Sequence, residues 1–431
     1  MERKRIRVGL MGLGVVGSEV ARILMEKVNR IQAHLDCPVE LARVLVREPG
    51  KERAVRVPPE LVTTQSRDIL DDPSIDIVIE VMGGETPAHA YIREAIQAGK
   101  HVITANKEVM AKYGPELLTM ANERGVDILY EASVGGGIPL IGPFQQDLAA
   151  NKITSIQAII NGTTNYILTR MADQGAEFST ALAEAQSLGY AEADPTNDVE
   201  GIDSCYKLSI LATLAFHLPV RPGDVYREGI TRLTSRDFRY ARELGYAIKL
   251  LAIAREEGGM VEARVHPTLV PQSLLMAQIG GVFNAVRVDG DLVGTVIFYG
   301  PGAGSRPTTS AILADLILLG KNITAGLTGR FRLREDGGKS ISPMARVRTR
   351  YYLRMDVADN PGVLAQIASI LGENEISIAS VIQKEANPEA QLAEIVIMTH
   401  QAREIDMQDA LAKLRGLPVV REIAGFLRAE G

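Results

Sequence analysis

The chain has 431 residues, of which 46% are hydrophobic and 23% charged, and its formal net charge is −6. This length suggests about three domains, and the composition is that of a globular protein, not of a disordered or fibrous one. The basic clusters at residues 3–5 and 346–350 are short and lack interleaved aromatic residues, which argues against nucleic-acid binding.

The two cysteines, Cys37 and Cys205, are far apart in sequence and predict no disulfide framework, which fits a reducing cytoplasm. The six histidines show no metal-ligand spacing, so a zinc or iron site is not expected. The N-terminus passes directly into a predicted strand, and no apolar run reaches the length that spans a membrane. We therefore predict a cytoplasmic protein without a signal peptide or a membrane segment.

The N-terminal part alternates between predicted strands and helices. A strand at residues 6–11 opens into Gly-Leu-Gly-Val-Val-Gly, and a helix pattern continues to about residue 33. Placed there, Gly12, Gly14 and Gly17 allow a tight turn and the close approach of a pyrophosphate to the helix N-terminus. The stretch predicts a dinucleotide site, with a glycine-rich turn that binds no ligand as the alternative.

The residues after the second predicted strand, at 40–46, bear on the choice of cofactor. Arg47 stands where a site that prefers NAD usually places Asp or Glu, and Lys51 and Arg53 follow nearby. Because arginine pairs well with a ribose 2′-phosphate, the sequence favours NADP. The alternative is that these loop cations are only solvated.

Two further strand ends extend this pattern. The predicted strand at residues 75–82 ends at Gly83, and the strand at residues 101–104 ends at Thr104, shortly before Lys107. Ligands bind at the carboxyl edge of parallel strands, so Lys107 is predicted to point toward the cofactor crevice. A surface lysine that begins the next helix is the alternative.

The pattern changes in the middle of the chain. A strand at residues 127–131 leads into the glycines 135–137, a tight turn whose carbonyls could face an ion. A strand at residues 153–160 runs into Asn-Gly-Thr-Thr-Asn at residues 161–165. Later strands are predicted near residues 247–255, 261–269 and 295–299. Few long helices accompany these strands, which indicates an α+β substrate domain.

Residues 189–207 concentrate charged groups ahead of an apolar run. Five carboxylates precede a single lysine: Glu192, Asp194, Asp198, Glu200 and Asp203. The turn at residues 194–197 predicts one helix that is capped by Asn197 or Asp198 and ends near residue 217.

Asp203 and Lys207 are four residues apart and share the apolar face of this predicted helix. A solvated ion pair is the alternative. Desolvating two charges costs several kcal/mol per ion, so a pair on the apolar face favours a functional role. We predict that Lys207 is the acid–base group and that the carboxylates tune it or bind a substrate ammonium.

The last third begins with a glycine-rich loop that starts a helix extending to about residue 321. We expect this helix to return to the nucleotide domain and Gly304 to approach the cofactor, with plain turn chemistry as the alternative. The remaining predicted elements are a polar linker at 322–349, a strand at 351–357, a helix at 362–373, a hairpin at 376–383 and 391–399, a helix at 407–415 and a strand at 419–426. This βαββαβ order is the ferredoxin-like arrangement.

The predicted fold class is thus α/β, with three domains. A Rossmann-type dinucleotide-binding domain spans residues 1–140 and is completed by the helix at about 305–321. An α+β substrate and dimerisation domain spans residues 141–321. After the linker at 322–349, a ferredoxin-like domain spans residues 350–431.

Taken together, the motifs resemble homoserine dehydrogenases that carry a C-terminal ACT domain, and the resemblance covers nearly the whole chain. It rests on GLGVVG at 12–17, TANK at 104–107, EASVGGGIP at 131–139, NGTTNYIL at 161–168, GYAEADPTNDVEGIDSCYK at 189–207 and GPGAGSRPTTSA at 300–311. DNPGVL at 359–364 resembles the ligand loop of ACT modules, which bind amino acids. No aspartokinase-like region precedes Met1, so the resemblance is to the monofunctional form.

The resemblance implies reversible NADP- or NAD-dependent interconversion of L-aspartate 4-semialdehyde and L-homoserine, in threonine, methionine and isoleucine biosynthesis. Lys207 would donate a proton to the carbonyl oxygen, and Lys107 would lie near that oxygen and the nicotinamide. Glu192 and Asp203 would hold the substrate, with Asp198 in support. The predicted cofactor contacts are Gly12, Leu13, Gly14, Val15, Val16, Gly17, Arg47, Gly83, Thr104, Lys107, Gly189 and Gly304.

The resemblance also implies a structural monovalent cation such as Na⁺, an amino-acid effector and a homodimer or homotetramer. The cation would be held, largely by carbonyls, at Glu131, Val134, Gly136 and Ile138. The effector, with threonine as the expected ligand, would bind at Asn360, Gly362, Val363 and Ile376 and mediate feedback regulation.

Two alternatives remain open at this point. One is a catalytically silent amino-acid sensor with a nucleotide-binding body, which the loss of either lysine would have favoured. The other is a reductase of another small amino-acid aldehyde or keto group on the same scaffold. Homoserine-dependent reduction of NADP, with close analogues as controls, separates the three functions.

Overall fold

The structure is a computed structural model that describes residues 5–35, 37–329, 336–387 and 392–430. The basic residues 3 and 4, part of the predicted linker and the tip of the predicted hairpin lie outside the described residues. The chain divides into two compact units. Unit 1 comprises residues 1–154, 206–224 and 288–339, and unit 2 comprises residues 155–205, 225–287 and 340–431. In the described ranges, no helix has both the length and the apolar character that crossing a membrane requires.

The helices and strands follow the chain in three runs. The first run is β1 (Ile6–Met11), α1 (Val15–Glu26), α2 (Val28–Gln32), β2 (Val39–Leu45), β3 (Val62–Thr63), α3 (Arg67–Leu70), β4 (Ile77–Glu80), α4 (Ala88–Gln97), β5 (His101–Thr104), α5 (Lys107–Glu123), β6 (Ile128–Leu129) and α6 (Ile141–Gln145). The second run is β7 (Ile153–Ile159), α7 (Gly162–Gln174), α8 (Phe178–Ser187), α9 (Thr196–Val199), α10 (Ile202–Phe216), β8 (Tyr226–Arg227), α11 (Ser235–Glu243), β9 (Tyr246–Glu257), β10 (Met260–Pro271), β11 (Phe283–Gly290) and β12 (Gly294–Pro301). The third run is α12 (Ser305–Thr324), β13 (Ser340–Ile341), β14 (Arg348–Ala358), α13 (Val363–Glu373), β15 (Ile378–Asn387), β16 (Leu392–Thr399), β17 (Ala402–Arg403), α14 (Glu404–Arg415) and β18 (Val420–Ala429).

Unit 1 is built on a parallel sheet with the strand order β3-β2-β1-β4-β5-β6. The strands β4 and β5 are buried along their whole length, as expected when helices cover both faces of a parallel sheet. The strand order reverses between β1 and β4, and such a reversal opens a ligand crevice at the carboxyl ends of the strands. The predicted dinucleotide-binding fold is confirmed.

The helix α12 lies in the core of unit 1. Its buried residues Ile312, Leu316 and Leu319 belong to the same hydrophobic cluster as Val20 of α1 and Leu10 of β1. The helix that we expected to return to the nucleotide domain therefore packs against the helix that follows the glycine-rich turn.

Unit 2 contains the strand order β11-β7-β9-β10-β18-β14-β16-β15. The strands β9 and β10 form a long antiparallel hairpin, and the helices α7 and α11 pack against β9. The last four strands in this order, with α13 and α14, form the C-terminal module around a single hydrophobic cluster. The predicted βαββαβ order is confirmed, with the short β17 added.

The C-terminal module is joined to the rest of unit 2 by backbone pairing and buried charges. Thr268 of β10 pairs in parallel with Arg428 of β18. The fully buried Arg264 donates to Glu430 at 2.7 Å, and Arg428 donates to Glu228 at 3.0 Å. The sheet of the module is therefore continuous with the sheet of the preceding residues.

A second buried cluster joins the same parts of unit 2. Arg354 of β14 donates to Asp237 of α11 at 2.9 Å and to Glu394 of β16 at 3.1 Å. Tyr240 of α11 also donates to Glu394, at 2.7 Å. Separating the C-terminal module from α11 would leave the buried charges of this cluster without their partners, which is costly. The cluster therefore stabilises the contact between α11 and the module.

Three regions differ from their predictions. The helix expected to continue to residue 33 is divided into α1 and α2 at Lys27, which leaves the helical conformation. The helix expected from residue 197 or 198 to 217 is divided into α9 and α10 at Gly201, which has φ +73°. The region predicted as a linker, residues 322–349, contains the end of α12, β13 paired with β10, and the start of β14.

The boundaries within the module also shift. β15 begins at Ile378, not at residue 376, and α14 begins at Glu404, not at residue 407. β18 extends to Ala429, three residues beyond the predicted end at 426, because its last residues pair with β10.

Candidate active site

The glycine-rich turn after β1 is shaped by close backbone contacts. Gly12 has φ +104°, and a Cβ there would lie 2.9 Å from the carbonyl oxygen of Val81. A Cβ on Gly17 would lie only 2.1 Å from the carbonyl oxygen of Gly12. Because α1 begins directly after Gly14, the first N–H groups of this helix lack helical partners and can bind a pyrophosphate.

A cavity of about 680 Å³ lies along this turn within unit 1. Several predicted cofactor contacts line it together: Gly12, Leu13, Gly14, Val15, Arg47 and Gly83. The side chain of Arg47 is 94% exposed, and its guanidinium lies 3.7 Å from the carboxylate of Glu48. Lys51 and Arg53 line the same cavity, so this end of the crevice is rich in cations.

Glu80 joins the ends of β4 and β5 at the edge of the crevice. Its buried carboxylate accepts from Thr104 Oγ1 at 2.6 Å and from the N–H of Met82 at 2.7 Å. Burial raises the pKa of Glu80 and outweighs these hydrogen bonds. The hydroxyl of Thr104 thus faces Glu80 and also accepts from the N–H of Asn106 at 3.0 Å.

Lys107 is the first residue of α5. Asn106 caps this helix by accepting from the N–H of Val109 at 3.1 Å, and its amide donates to the carbonyl of Gly84 at 2.7 Å. Lys107 therefore begins its helix beside the glycines that follow β4, at the carboxyl edge where the sequence placed it.

Lys207 lies on α10 and is only 8% exposed. The preceding residue, Tyr206, donates to the carboxylate of Glu108 at 3.4 Å, and Glu108 directly follows Lys107. The ammonium of Lys112 lies 2.6 Å from the same carboxylate and 5.6 Å from the centroid of the Tyr206 ring. Unit 1 thus brings together the helix segments that carry the two predicted lysines.

The carboxylates predicted to bind substrate lie in unit 2, and two of them meet. One nitrogen, Asn161 Nδ2, donates to Asp198 at 2.7 Å and to Asp203 at 2.9 Å. Asp203 is 2% exposed, so Asp203 and Lys207 are both buried residues of α10, as their spacing predicted. Glu192 lies on an exposed turn after α8, where its carbonyl accepts from Gln186.

The predicted cation loop belongs to unit 1. The buried carboxylate of Glu131 accepts from the N–H groups of Leu140, Ile141 and Gly142 at 2.5, 2.9 and 2.7 Å. Asp315 of α12 accepts from the N–H of Glu131 at 2.9 Å, and burial raises the pKa of Asp315 well above its ordinary value. The backbone and side chain of Glu131 are thus both fixed in position.

Beyond Glu131 the loop packs against the residues that precede α12. A Cβ on Gly136 would lie 2.6 Å from the carbonyl oxygen of Gly302, and Gly137 donates to the carbonyl of Pro301 at 3.2 Å. Ser305, next to Gly304, donates to the carbonyl of Val15 at 3.0 Å. Gly304 therefore lies beside the start of α1; its predicted approach to the cofactor stays a prediction.

The contributing residues that were not predicted include Glu80, Asn161, Tyr206 and Asp315. Glu80 ends an otherwise apolar strand, which is a recognisable signal for a buried polar group. Asn161 follows β7 and precedes a helix, the position of an N-cap, but nothing in the sequence links it to Asp198 and Asp203.

A parallel sheet with a glycine turn after its first strand and a ligand crevice at the carboxyl ends of its strands defines a dinucleotide-binding protein. Comparison with known proteins agrees. The family model "Homoserine dehydrogenase, NAD binding domain" matches residues 12–131, "Homoserine dehydrogenase" matches residues 139–317, and "ACT domain" matches residues 351–419.

Two of the relatives described next match over nearly the full length of this chain, and the third covers about three quarters of it. The homoserine dehydrogenase of Bacillus subtilis is 42% identical and covers 99% of this chain and 99% of its own. The crystal structure of a homoserine dehydrogenase from Thiobacillus denitrificans is 44% identical, with 99% of this chain and 98% of that chain covered and a TM-score of 0.94. A hyperthermophilic archaeal homoserine dehydrogenase in complex with NADPH is 26% identical over 77% of this chain and 100% of that chain, with a TM-score of 0.64. The chain belongs to the homoserine dehydrogenase family.

Proposed function

We propose that the chain catalyses the reversible NADP-dependent interconversion of L-aspartate 4-semialdehyde and L-homoserine, as a step in threonine, methionine and isoleucine biosynthesis. The observation that carries this proposal is the burial of Lys207 on α10, beside the start of α5 and within the unit that forms the dinucleotide crevice. The family name supports homoserine as one substrate, and oxidation of its terminal alcohol would give the corresponding semialdehyde.

The bound nicotinamide supplies the hydride, and the chain supplies positioning and proton transfer. Lys207 holds the proton that passes to the carbonyl oxygen of the aldehyde during reduction. Lys107 stabilises the negative charge that develops on that oxygen. Asp203 and Glu192, supported by Asp198, hold the substrate ammonium and thereby orient the reacting carbon.

Homoserine-dependent reduction of NADP, followed by its absorbance, tests this proposal. A catalytically silent sensor would give no signal with any substrate. A reductase of another amino-acid aldehyde would oxidise a close analogue faster than homoserine.

The preference for NADP rests on the cations at the end of the crevice. Arg47→Asp should weaken NADP binding far more than NAD binding, because an exposed cation available for a 2′-phosphate is replaced by an anion that repels it. Fluorescence titration of both cofactors measures the two dissociation constants. Arg30→Asp, a charge reversal on the exposed face of α2, is the matched control and should change neither constant. Equal losses for NADP and NAD in the Arg47 variant would place Arg47 outside the ribose site.

A monovalent cation such as Na⁺ fits the donor chemistry of the loop after β6. In the described part of the chain, no group of three or more His, Cys, Asp or Glu side chains is arranged to hold a metal. The proposed donors at Glu131, Val134, Gly136 and Ile138 are instead oxygen atoms, mostly carbonyls, which suit a hard cation. Glu131 and Asp315 already fix the position of this loop next to α12. A cation bound there would add to the stability of the loop, and its role would therefore be structural.

The C-terminal module is proposed to bind an amino-acid effector at the start of α13. Asn360 and Gly362 are exposed, and Gly362 is the N-cap of an eleven-residue helix whose first N–H groups can donate hydrogen bonds to a carboxylate. Val363 is buried, and Ile376 is 2% exposed and packs in the module core, so both would offer only backbone contacts.

Threonine is expected to bind the full chain and to inhibit it. Inhibition requires tighter binding to the less active state, typically by ~1–3 kcal/mol. Calorimetric titration of the full chain measures binding, and Asn360→Asp should weaken it by placing a negative charge at the carboxylate position. If threonine, isoleucine, methionine and lysine all fail to bind, the module has no effector role. We also propose that the chain assembles as a homodimer or homotetramer and that it is located in the cytoplasm.

A further inference from the structure

Asn161 occupies the junction between β7 and α7 in unit 2 and is 5% exposed. Its Oδ1 caps α7 by accepting from the N–H of Thr164 at 2.8 Å and from the hydroxyl of Thr164 at 3.0 Å. With Oδ1 committed to two donors, the amide nitrogen must face the opposite way. The orientation of this amide is therefore determined by its contacts.

The amide nitrogen faces two carboxylates. Its two hydrogens are donated to Asp198 Oδ1 at 2.7 Å and to Asp203 Oδ2 at 2.9 Å. Because the capping contact fixes the orientation of the Asn161 side chain, its amide nitrogen fixes the positions of the Asp198 and Asp203 carboxylates relative to α7. Like charges held close together repel each other, and a shared hydrogen-bond donor offsets part of that repulsion.

The two carboxylates come from different helices. Asp198 belongs to α9 and Asp203 to α10, and the chain turns between them at Gly201. A Cβ on Gly201 would lie 3.2 Å from the side chain of Val265, so this turn is closely packed. Because the two aspartates lie on different helices, helical geometry does not fix the distance between their carboxylates. The amide of Asn161 donates to both and therefore links the two helices across the turn.

We propose that Asn161 is a positioning residue for substrate binding: its amide holds the carboxylates of Asp198 and Asp203 side by side, so that together they receive the ammonium of the amino-acid substrate. The inference rests on the proposed function, because it takes the substrate role of these carboxylates from there. Asn161 acts through the two aspartates and not on the reacting atoms.

Asn161→Ser provides the direct test. Serine retains an oxygen that can cap α7, but its side chain is too short to reach both carboxylates. The KM for homoserine is expected to rise about 10–100-fold, with a smaller change in kcat and an unchanged Kd for NADP. Asn161→Asp keeps both the cap and the size of the side chain but replaces the donor by an anion, and it should raise KM as well. If substrate binding depended only on the amount of negative charge near the ammonium, and not on how the carboxylates are positioned, Asn161→Asp would instead lower KM. That outcome would contradict the inference.

Gly175→Ala is the matched control for helix stability. Gly175 ends the same helix with φ +64° and has no neighbouring atom within 4 Å of an added Cβ, so alanine strains α7 without touching the carboxylates. This variant should lower the melting temperature while leaving KM unchanged. If Asn161→Ser also lowers the melting temperature but keeps the wild-type KM, Asn161 is only a helix cap and the inference fails. If the wild-type chain itself shows no homoserine-dependent reduction of NADP, the proposed function fails instead.

Discussion

Lys207→Met is expected to lower kcat by about 10²–10⁴-fold, the range typical for the loss of a general acid or base. Methionine has nearly the length of lysine and suits a side chain that is buried on an apolar helix face. The fold and the Kd for NADP should therefore be retained while proton transfer is lost. Steady-state kinetics with homoserine, together with cofactor titration, measure both quantities.

Two companion variants distinguish proton transfer from other roles of Lys207. Lys207→Arg keeps the positive charge but cannot release a proton near neutral pH, so it should remain as inactive as Lys207→Met. Lys249→Met removes another buried lysine, which lies on β9 and donates to the carbonyl of Ile279 at 2.6 Å, and should retain kcat. Wild-type kcat in Lys207→Met would make Lys207 a structural residue.

Arg428→Met is expected to lower the free energy of unfolding by about 3–5 kcal/mol at pH 7. Arg428 is fully buried and donates twice to Glu404, at 2.8 and 2.6 Å. Burial opposes the ionisation of Glu404, but the hydrogen bonds and charge of Arg428 outweigh it and lower the pKa of Glu404. Removing Arg428 leaves this buried carboxylate without its cation. Urea unfolding, monitored by circular dichroism, measures the loss.

The loss should depend on pH. In the wild type, Glu404 has a lowered pKa in the folded state, so its contribution to stability is present at neutral pH and is lost as pH falls through that pKa. In Arg428→Met, the hydrogen bonds from Gln408 and Tyr351 to Glu404 remain, but the charge of Arg428 no longer offsets burial, and protonation at lower pH relieves the uncompensated charge. The difference between the proteins should therefore be smaller at pH 5 than at pH 7.

Two controls accompany this prediction. Adding Glu404→Gln to Arg428→Met should recover part of the stability, because the buried charge is removed. Arg403→Met breaks an ion pair with Asp406 in which Arg403 is half exposed, and should cost less than about 1 kcal/mol. Equal losses from Arg403→Met and Arg428→Met would contradict the assigned role of the buried pair.

The architecture could be predicted because its signals are local. The glycine turn after β1 and the alternation of strands and helices depend on residues close in sequence, and these elements are confirmed. The turn at Gly201 could not be predicted, because the apolar pattern continues through residues 199–210 and the closely packed Val265 is distant in sequence. The pairing of β18 with β10 depends on a register between strands about 160 residues apart, which no local pattern encodes.

In the candidate site, too, features that depend on residues close in sequence could be predicted, and contacts between distant residues could not. The spacing of Asp203 and Lys207 predicted that both are buried on one helix, and the exposures of α10 agree. Their roles in catalysis remain predictions. Asn161 could not be linked to Asp198 and Asp203, because these contacts join β7 and α7 to α9 and α10 across about 40 residues of sequence.

The measurement that tests the central claim most directly is the rate of NADP reduction by the purified full chain with L-homoserine as substrate. We expect NADPH to form in proportion to enzyme concentration, faster with homoserine than with L-threonine or L-serine, and to find this signal lost in Lys207→Met. No formation of NADPH or NADH from homoserine by the folded protein, or faster oxidation of a different amino alcohol, would contradict the proposed function.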